Sequence, residues 1–343
     1  MPSGTSPAAR SLTARDTVLR AAWHPVAATS EIGSSPTQVW LLDEPWAVWR
    51  ADEGGLRAVV DRCPHRLAPI SAGSMCGDGT LQCGYHGWRF DADGTCVAIP
   101  ALGPDAAIPA KARLTPAAAV DERGGIVWLA PLPPVVPLID VVPPPHAVTG
   151  SLVPSRASVD PGGMIDNFLD VAHFPFVHAA TFGTPTSDRA EEYEVTPTQH
   201  GFVAVTEHDF ANHEDPAVAD GLRPLVQRRR MTYTYVPPFS ATLTLDYLDA
   251  GGTNLILFAI QPERAGVSRV HTVLFRNDVG VDEMPAALEF EQRVLDEDLA
   301  IQTLLTTTLP LDLTVEVHTK ADRLTLELRR CLARFLAPPS AAR

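Results

Sequence analysis

The distribution of apolar and polar positions divides the chain into two differently patterned halves. Between residues 38 and 130 the apolar residues come in short runs bounded by turn formers. These are "QVWLL", a turn at Asp43 to Pro45, "WAVWR", "LRAVVDRC", "WRFDADGTCVAI" with a turn at Asp91 to Gly94, and "GGIVWLA". Short runs rich in β-branched and aromatic residues predict a small antiparallel β domain. Further along, "DNFLDVAHF" has helical spacing, whereas "TLTLDYL" at 242–248, "TNLILFAIQPE" and "SRVHTVLFRN" predict strands of a half-buried sheet. Amphipathic spacing then predicts two helices, at about 283–307 and 321–337, so the fold class expected is α+β.

The two patterns meet at "PLPPVVPLIDVVPPPH", residues 131–146, which carries seven prolines. Proline removes backbone donors and favours extended structure, which predicts a stiff connection between two folded units. The expected domains are therefore 1–140, including the linker from about 131, and 141–343.

Composition narrows the partners. The 343 residues are 45% apolar, enough to bury a large core, and 27 Lys plus Arg against 41 Asp plus Glu give a net charge of −14. With no basic run beyond Arg228 to Arg230, this argues against nucleic acid and anionic membrane as partners. The N-terminal stretch has no apolar run resembling a signal peptide, and nowhere do eighteen apolar residues follow one another; a cytoplasmic protein is expected. In a reducing compartment the cysteines at 63, 76, 83, 96 and 331 do not suggest disulfides.

Four residues then stand out in "CPHRLAPISAGSMCGDGTLQCGYHGW". Cys63 and His65 lie two apart, Cys83 and His86 three apart, and seventeen residues separate the pairs. Two loops that each present one thiolate and one imidazole suit a metal centre. A structural zinc ion accepts such ligands, but zinc sites tend to keep like pairs together. A 2Fe-2S cluster with two thiolates on one iron and two imidazoles on the other requires both kinds. Pro64, Gly84 and Gly87 fit tight loops, and Tyr85 and Trp88 are placed to shield a cluster. Cys76 and Cys96 read as ordinary buried thiols.

A second cluster lies in "MIDNFLDVAHFPFVH". Asn167, Asp170 and His173 follow at three-residue steps, which would align them on one helix face, and Pro175 disfavours helix at Phe174. With that break His173 and His178 can converge on one ion; hydrogen-bonded core histidines are the alternative. A carboxylate is available in "EFEQRVLDEDLAIQTLL", where Asp298 falls on the stripe Val294, Ile301, Leu305. An ionised carboxylate on a core-facing stripe costs several kcal/mol unless it is paired or bound to metal. Asp296 and Glu297 read as solvated charges. Two His and one carboxylate are the facial triad of oxygen-activating non-haem iron.

"CPHR" followed by "CGYHGW" resembles the Rieske signature, and with "NFLDVAHFPFVH" most of the chain resembles the Rieske non-haem iron oxygenases. That resemblance implies one Rieske 2Fe-2S cluster on Cys63, His65, Cys83 and His86. Replacing two thiolates by imidazoles raises its potential to roughly −150 to +300 mV. It also implies one mononuclear Fe(II) on His173, His178 and Asp298, and a helix-grip-like antiparallel sheet in the second domain. Asp170 takes the place of the family's electron bridge between the two centres, which in family members joins neighbouring subunits of a trimer. Asn167 orients or gates the open iron face, or only stabilises its helix. His24 matches a family position of no known chemistry; His200, His208, His213 and His271 stay surface or core histidines.

The resemblance further implies electrons from a ferredoxin or flavin reductase, since no phosphate-cradling Gly-rich loop for flavin or NAD is visible. The look is closest to vanillate and dicamba O-demethylases, so monooxygenation with demethylation of an aromatic or heterocyclic small molecule is expected. Arene cis-dihydroxylation is the alternative. An electron carrier with an inactive second domain and a zinc-stabilised binding module remain as readings of other classes.

Overall fold

Period-two alternation builds the larger half of the molecule. In the computed structural model, which describes residues 17–51, 53–184, 193–305 and 308–337, the strands Phe202–Ala211 and Val226–Val236 bury every second side chain along most of their length. They belong to an eight-stranded antiparallel sheet. Its order is Glu194–Pro197, Phe202–Ala211, Val226–Val236, Ser240–Tyr247, Thr253–Arg264 and Val267–Arg276, and both Val148–Ser151 and Ser155–Ala157 pair with the last.

Thr253–Arg264 and Val267–Arg276 depart from the half-buried expectation, because almost every residue in them is buried. One set of side chains, Ile256, Phe258 and Ile260, enters the main core. The alternate set, Leu255, Leu257 and Ala259, packs with Val273 and Phe275 against Ile126, Trp128, Leu138 and Ile139. A sheet covered on both faces needs apolar residues on both, which is why these strands read as unbroken apolar runs. Leu138 and Ile139 come from the proline-rich segment, which is therefore bound along the sheet and not a free spacer.

The helix Pro161–Leu169 packs on Thr253–Arg264 and touches both the long helix Met284–Gln302 and the C-terminal helix Arg323–Leu336. Pro161 stands in its first turn, and Asp160 caps it by accepting from the Gly163 N–H. The long helix ends at Gln302, short of the expected 307; residues 306–307, like the N-terminal residues 1–16 read for a signal peptide, lie outside the described residues. Among the described residues no helix is long and apolar enough to cross a membrane.

Upstream, three small sheets form the β half. Ile126–Ala130 pairs between His24–Ala28 and Ala119–Arg123, and Glu44–Arg50 pairs between Thr37–Leu41 and Leu56–Val60. Four strands of two or three residues, from Ser74–Met75 to Cys96–Ala98, make the last. The hairpin expected to turn at Asp43 to Pro45 turns instead at Leu42 and Asp43, both at positive φ, and Pro45 is already in the strand. Leucine disfavours that conformation. Docking holds it, since the Leu42 and Asp43 N–H groups donate to the carbonyls of Pro262 and Glu263 at 2.7 and 3.0 Å.

Candidate active site and metal centres

The two loops of the first motif meet in the β half, where His65 of one faces His86 and Trp88 of the other. In the first, Leu67 N–H donates to Cys63 O, and Asp61 steadies the chain just before Cys63 by accepting from Gln38 Nε2 and from Ser71 N–H and Oγ at 2.6–2.7 Å. The second closes between Gln82 and Arg89, with Gly87 N–H donating to Cys83 O and Gly87 at φ +70°, a region open to glycine at no steric cost.

The ligand types sort into like pairs in space although they are mixed in sequence. Cys63 and Cys83 are buried neighbours, and burial foremost, with the Cys83 thiol adding to it, pushes the Cys63 thiol up to about 11. Thiols so placed ionise only against a metal. The imidazoles of His65 and His86 lie with centroids 4.4 Å apart, and Trp88 stacks on His65 at 4.6 Å and 7°. Two sulfurs on one side and two ring nitrogens on the other fit a cluster of two unlike irons better than a single ion. Tyr85 does not shield the site as expected: it covers one side of His86 but is 66% exposed. Cys96 is buried as expected, whereas Cys76 is only half-buried.

The second site departs from the expected single helix. The helix carrying Asn167 ends at Leu169, Asp170 is its C-cap with extended backbone, and His173 follows in a turn. Pro175 opens a short second helix, Phe174–Val177, whose ends are His173 and His178. The chain therefore breaks before His173 and not at Phe174. The proline, having no N–H to lose, suits a helix start. Downstream the chain folds tightly back over His178, where a Cβ on Gly183 would stand 2.4 Å from the Phe174 carbonyl oxygen.

These turns bring His173 Nε2, His178 Nε2 and Asp298 Oδ1 together, at 3.1 Å between the nitrogens and 3.3 and 3.2 Å from each to the oxygen. Three donors at right angles around one ion, each about 2.2 Å from it, stand about 3.1 Å apart. Apart from these two ring nitrogens, the buried Asp298 Oδ1 has no hydrogen-bond partner among the described residues. Burial alone would raise the Asp298 carboxyl, but the two imidazoles outweigh it and hold the group at about 2. Burial likewise opposes charge on His173, and Asp170 and Asp298 override it, raising that imidazole to about 9. The pocket is thus electrostatically shaped for a cation, and the donor set fits a facial triad.

Asp298 is on the buried face for a different reason than the expected stripe. Leu295 and Gln302 are its buried neighbours, whereas Ile301 and Leu305 are 42% and 55% exposed. Asp296 points outward, accepting from Gln292 at 2.9 Å. Glu297, read above as a solvated charge, accepts from His178 Nδ1 and from Thr181 Oγ1, both at 2.8 Å, so it orients the imidazole. Asn167 accepts from Gln302 through Oδ1, and its Nδ2 is buried without a partner. Asp170 Oδ2 stands 3.6 Å from His173 Nδ1 while Oδ1 accepts from Ala172 N–H. The triad opens into a cavity with an empty space of about 820 Å³, mouth included, walled by Phe168, Leu243, Ile256, Phe258, Val294 and others. Sites for small organic ligands share this mainly apolar lining with a few polar groups.

The Vanillate O-demethylase oxygenase C-terminal domain family matches residues 158–337, and the Rieske [2Fe-2S] domain family matches residues 22–117. The chain belongs to the Rieske oxygenases. It is 28% identical over 337 residues to methylxanthine N3-demethylase NdmB of Pseudomonas putida, covering 92% of this chain and 88% of that protein. The solved structure of NdmA from Pseudomonas putida CBB5 with caffeine superposes with a TM-score of 0.80 at 25% identity, over 94% of this chain and 92% of that one. Chlorophyllide a oxygenase of Arabidopsis thaliana is 30% identical over 179 residues, half of this chain (51%), but the match spans only about a third (32%) of that relative's length. The α+β architecture, the 2Fe-2S cluster and the mononuclear iron are thus those of the family, and the residues of this Rieske oxygenase fit both groups.

Proposed function

We propose that the chain is an oxygenase component that hydroxylates or oxidatively demethylates an aromatic or heterocyclic small molecule. The carrying observation is the open triad of His173, His178 and Asp298 at the wall of an apolar cavity. When bound, the iron supplies dioxygen activation and the cluster supplies single electrons. Cys63, His65, Cys83 and His86 hold the cluster, and His173, His178 and Asp298 hold the iron. Glu297 keeps the His178 Nε2 turned to the metal, and the apolar walls exclude water and press the substrate against the open face. Asn167 presents its free amide N–H groups beside that face.

In this reading Asp170 is the electron bridge. One oxygen faces the His173 ring and the side chain remains 31% exposed, so its outer edge is open to an imidazole of a second subunit. A homotrimer, with a ferredoxin or flavin reductase as donor, completes the path, and the free cysteines suit a cytoplasmic setting. The demethylase assignment draws on the family name and on NdmB and NdmA. Turnover with a surrogate reductase under labelled dioxygen tests it, with a panel of methoxy, N-methyl and unsubstituted aromatics. Formaldehyde in step with a demethylated product is expected. A cis-diol carrying two labelled oxygens would replace demethylation by arene dihydroxylation.

A further inference from the structure

Arg229 sits inside the same cavity without a direct ion-pair partner among the described residues. The run Arg228 to Arg230 reads as one basic cluster in the sequence, but the strand splits it. Arg228 and Arg230 turn to the outer face and pair with Glu207, while Arg229 falls in the inward column with Gln227, Met231, Tyr233 and Tyr235. Its relative exposure is 6%, its Nε has no hydrogen-bond partner, and no carboxylate of the described residues is within ion-pair distance of it. The guanidinium is flanked by Phe210 at 4.6 Å and Phe182 at 4.7 Å, rings that attract the cation but accept none of its N–H groups in the way an oxygen would.

The surrounding groups make no direct ion pair with Arg229. Its neighbours across the sheet, His208 and Tyr247, are uncharged: burial foremost lowers His208 to about 4, and burial raises Tyr247 to about 12. Glu214 is taken by Arg276 at 2.8 Å, and Glu291, which burial foremost pushes up to about 7, is only partly ionised near neutral pH and makes no ion pair with Arg229. A buried unpaired cation is costly, and proteins keep one where a ligand completes it. Three further polar atoms on the cavity wall, Tyr233 Oη, Asn254 Oδ1 and Thr272 Oγ1, are also buried without partners, so polar demand converges here.

Resting on the oxygenase reading above, we propose that Arg229 anchors the carboxylate of an aromatic acid, holding the substrate ring between itself and the iron. Arg229 and the triad line one cavity, and Phe182 touches both sides of it, its ring 4.7 Å from the guanidinium carbon and 4.7 Å from the His178 ring. A guanidinium binds a carboxylate in the plane of its donor fork, which fixes the ring's direction as well as its charge.

The test compares 3-methoxybenzoate with 3-methoxybenzamide, which keeps the shape and removes the charge, by equilibrium binding to the iron-loaded protein. The wild type should prefer the carboxylate by about 10- to 100-fold, as a charge-assisted pair implies. Arg229→Met should abolish that preference while leaving amide affinity, iron content and the cluster spectrum in place, and Arg229→Lys should fall between. A wild type that does not bind the carboxylate or does not prefer it, or an Arg229→Met protein that keeps the preference, would overturn the proposal. If Arg229→Met fails to fold, the wild-type preference and Arg229→Lys still decide. Formaldehyde release is scored separately: Arg229-dependent binding without formaldehyde retains the anion site and removes the demethylase reading.

Discussion

His178 Nδ1 donates to Glu297 Oε2 at 2.8 Å, and this bond decides which nitrogen of His178 faces the metal. A ligand imidazole held by a carboxylate keeps one tautomer and one orientation, and losing such a partner typically costs 10- to 100-fold in metal affinity. Glu297→Ala should therefore lower iron occupancy after dialysis against a chelator by about that factor while leaving the brown cluster intact. Equal iron retention in the variant and the wild type would remove Glu297 from the site.

Asp296 and Asp298 stand two residues apart on one helix and face opposite surroundings. Asp298→Ala should leave less than about a tenth of the iron, because a buried metal deprived of its one carboxylate keeps two neutral donors. Asp296→Ala, which alters only an outward contact to Gln292, should retain full occupancy. Metal analysis of the two proteins together distinguishes a local from a general effect; iron lost from Asp296→Ala would invert the assignment.

Much of this site was legible in the chain because metal chemistry restricts residue type. Four Cys and His at 63, 65, 83 and 86, and two His around a proline, have few readings. Less legible was what depends on a neighbour distant in sequence. Glu297 falls a hundred degrees round the helix from Asp298, and only the approach of Thr181 and His178 gives it partners. The helix stripe was misassigned by the apolar Ile301 and Leu305, which the structure leaves exposed, while polar Gln302 is buried against Asn167. Arg229 was legible in principle, since alternation through "VQRRRMTYTYV" already places it inward with Met231 and Tyr233.

If Asp170 carries electrons between subunits, Asp170→Asn should leave cluster and iron bound yet slow substrate-dependent oxygen consumption by at least about tenfold. The amide preserves shape and the contact with Ala172 N–H but lacks the charge that holds the His173 ring. Stopped-flow reoxidation of the reduced cluster should slow by the same factor. An unchanged rate would remove the bridge from the account.

Acid should destabilise the fold through histidines that are buried neutral. Burial lowers His24 and His208 to about 4 and His271 to about 3, against 6.5 in an exposed chain. Folded pKa values below the unfolded value mean that the unfolded chain takes up protons first as the pH falls. Stability is full above about 6.5 and declines towards 4 for the first two and towards 3 for His271, each costing about 1.4 kcal/mol per pH unit in that window. His271→Gln removes one of the three groups at a site where its Nε2 meets only Gln261 Oε1 at 2.9 Å. Whatever its effect at pH 7, the variant should lose stability to urea less steeply than the wild type between pH 6.5 and 5, by about that amount per unit. Parallel curves for the two proteins would show that His271 takes up its proton in the fold as readily as in the unfolded chain and that burial does not hold it neutral.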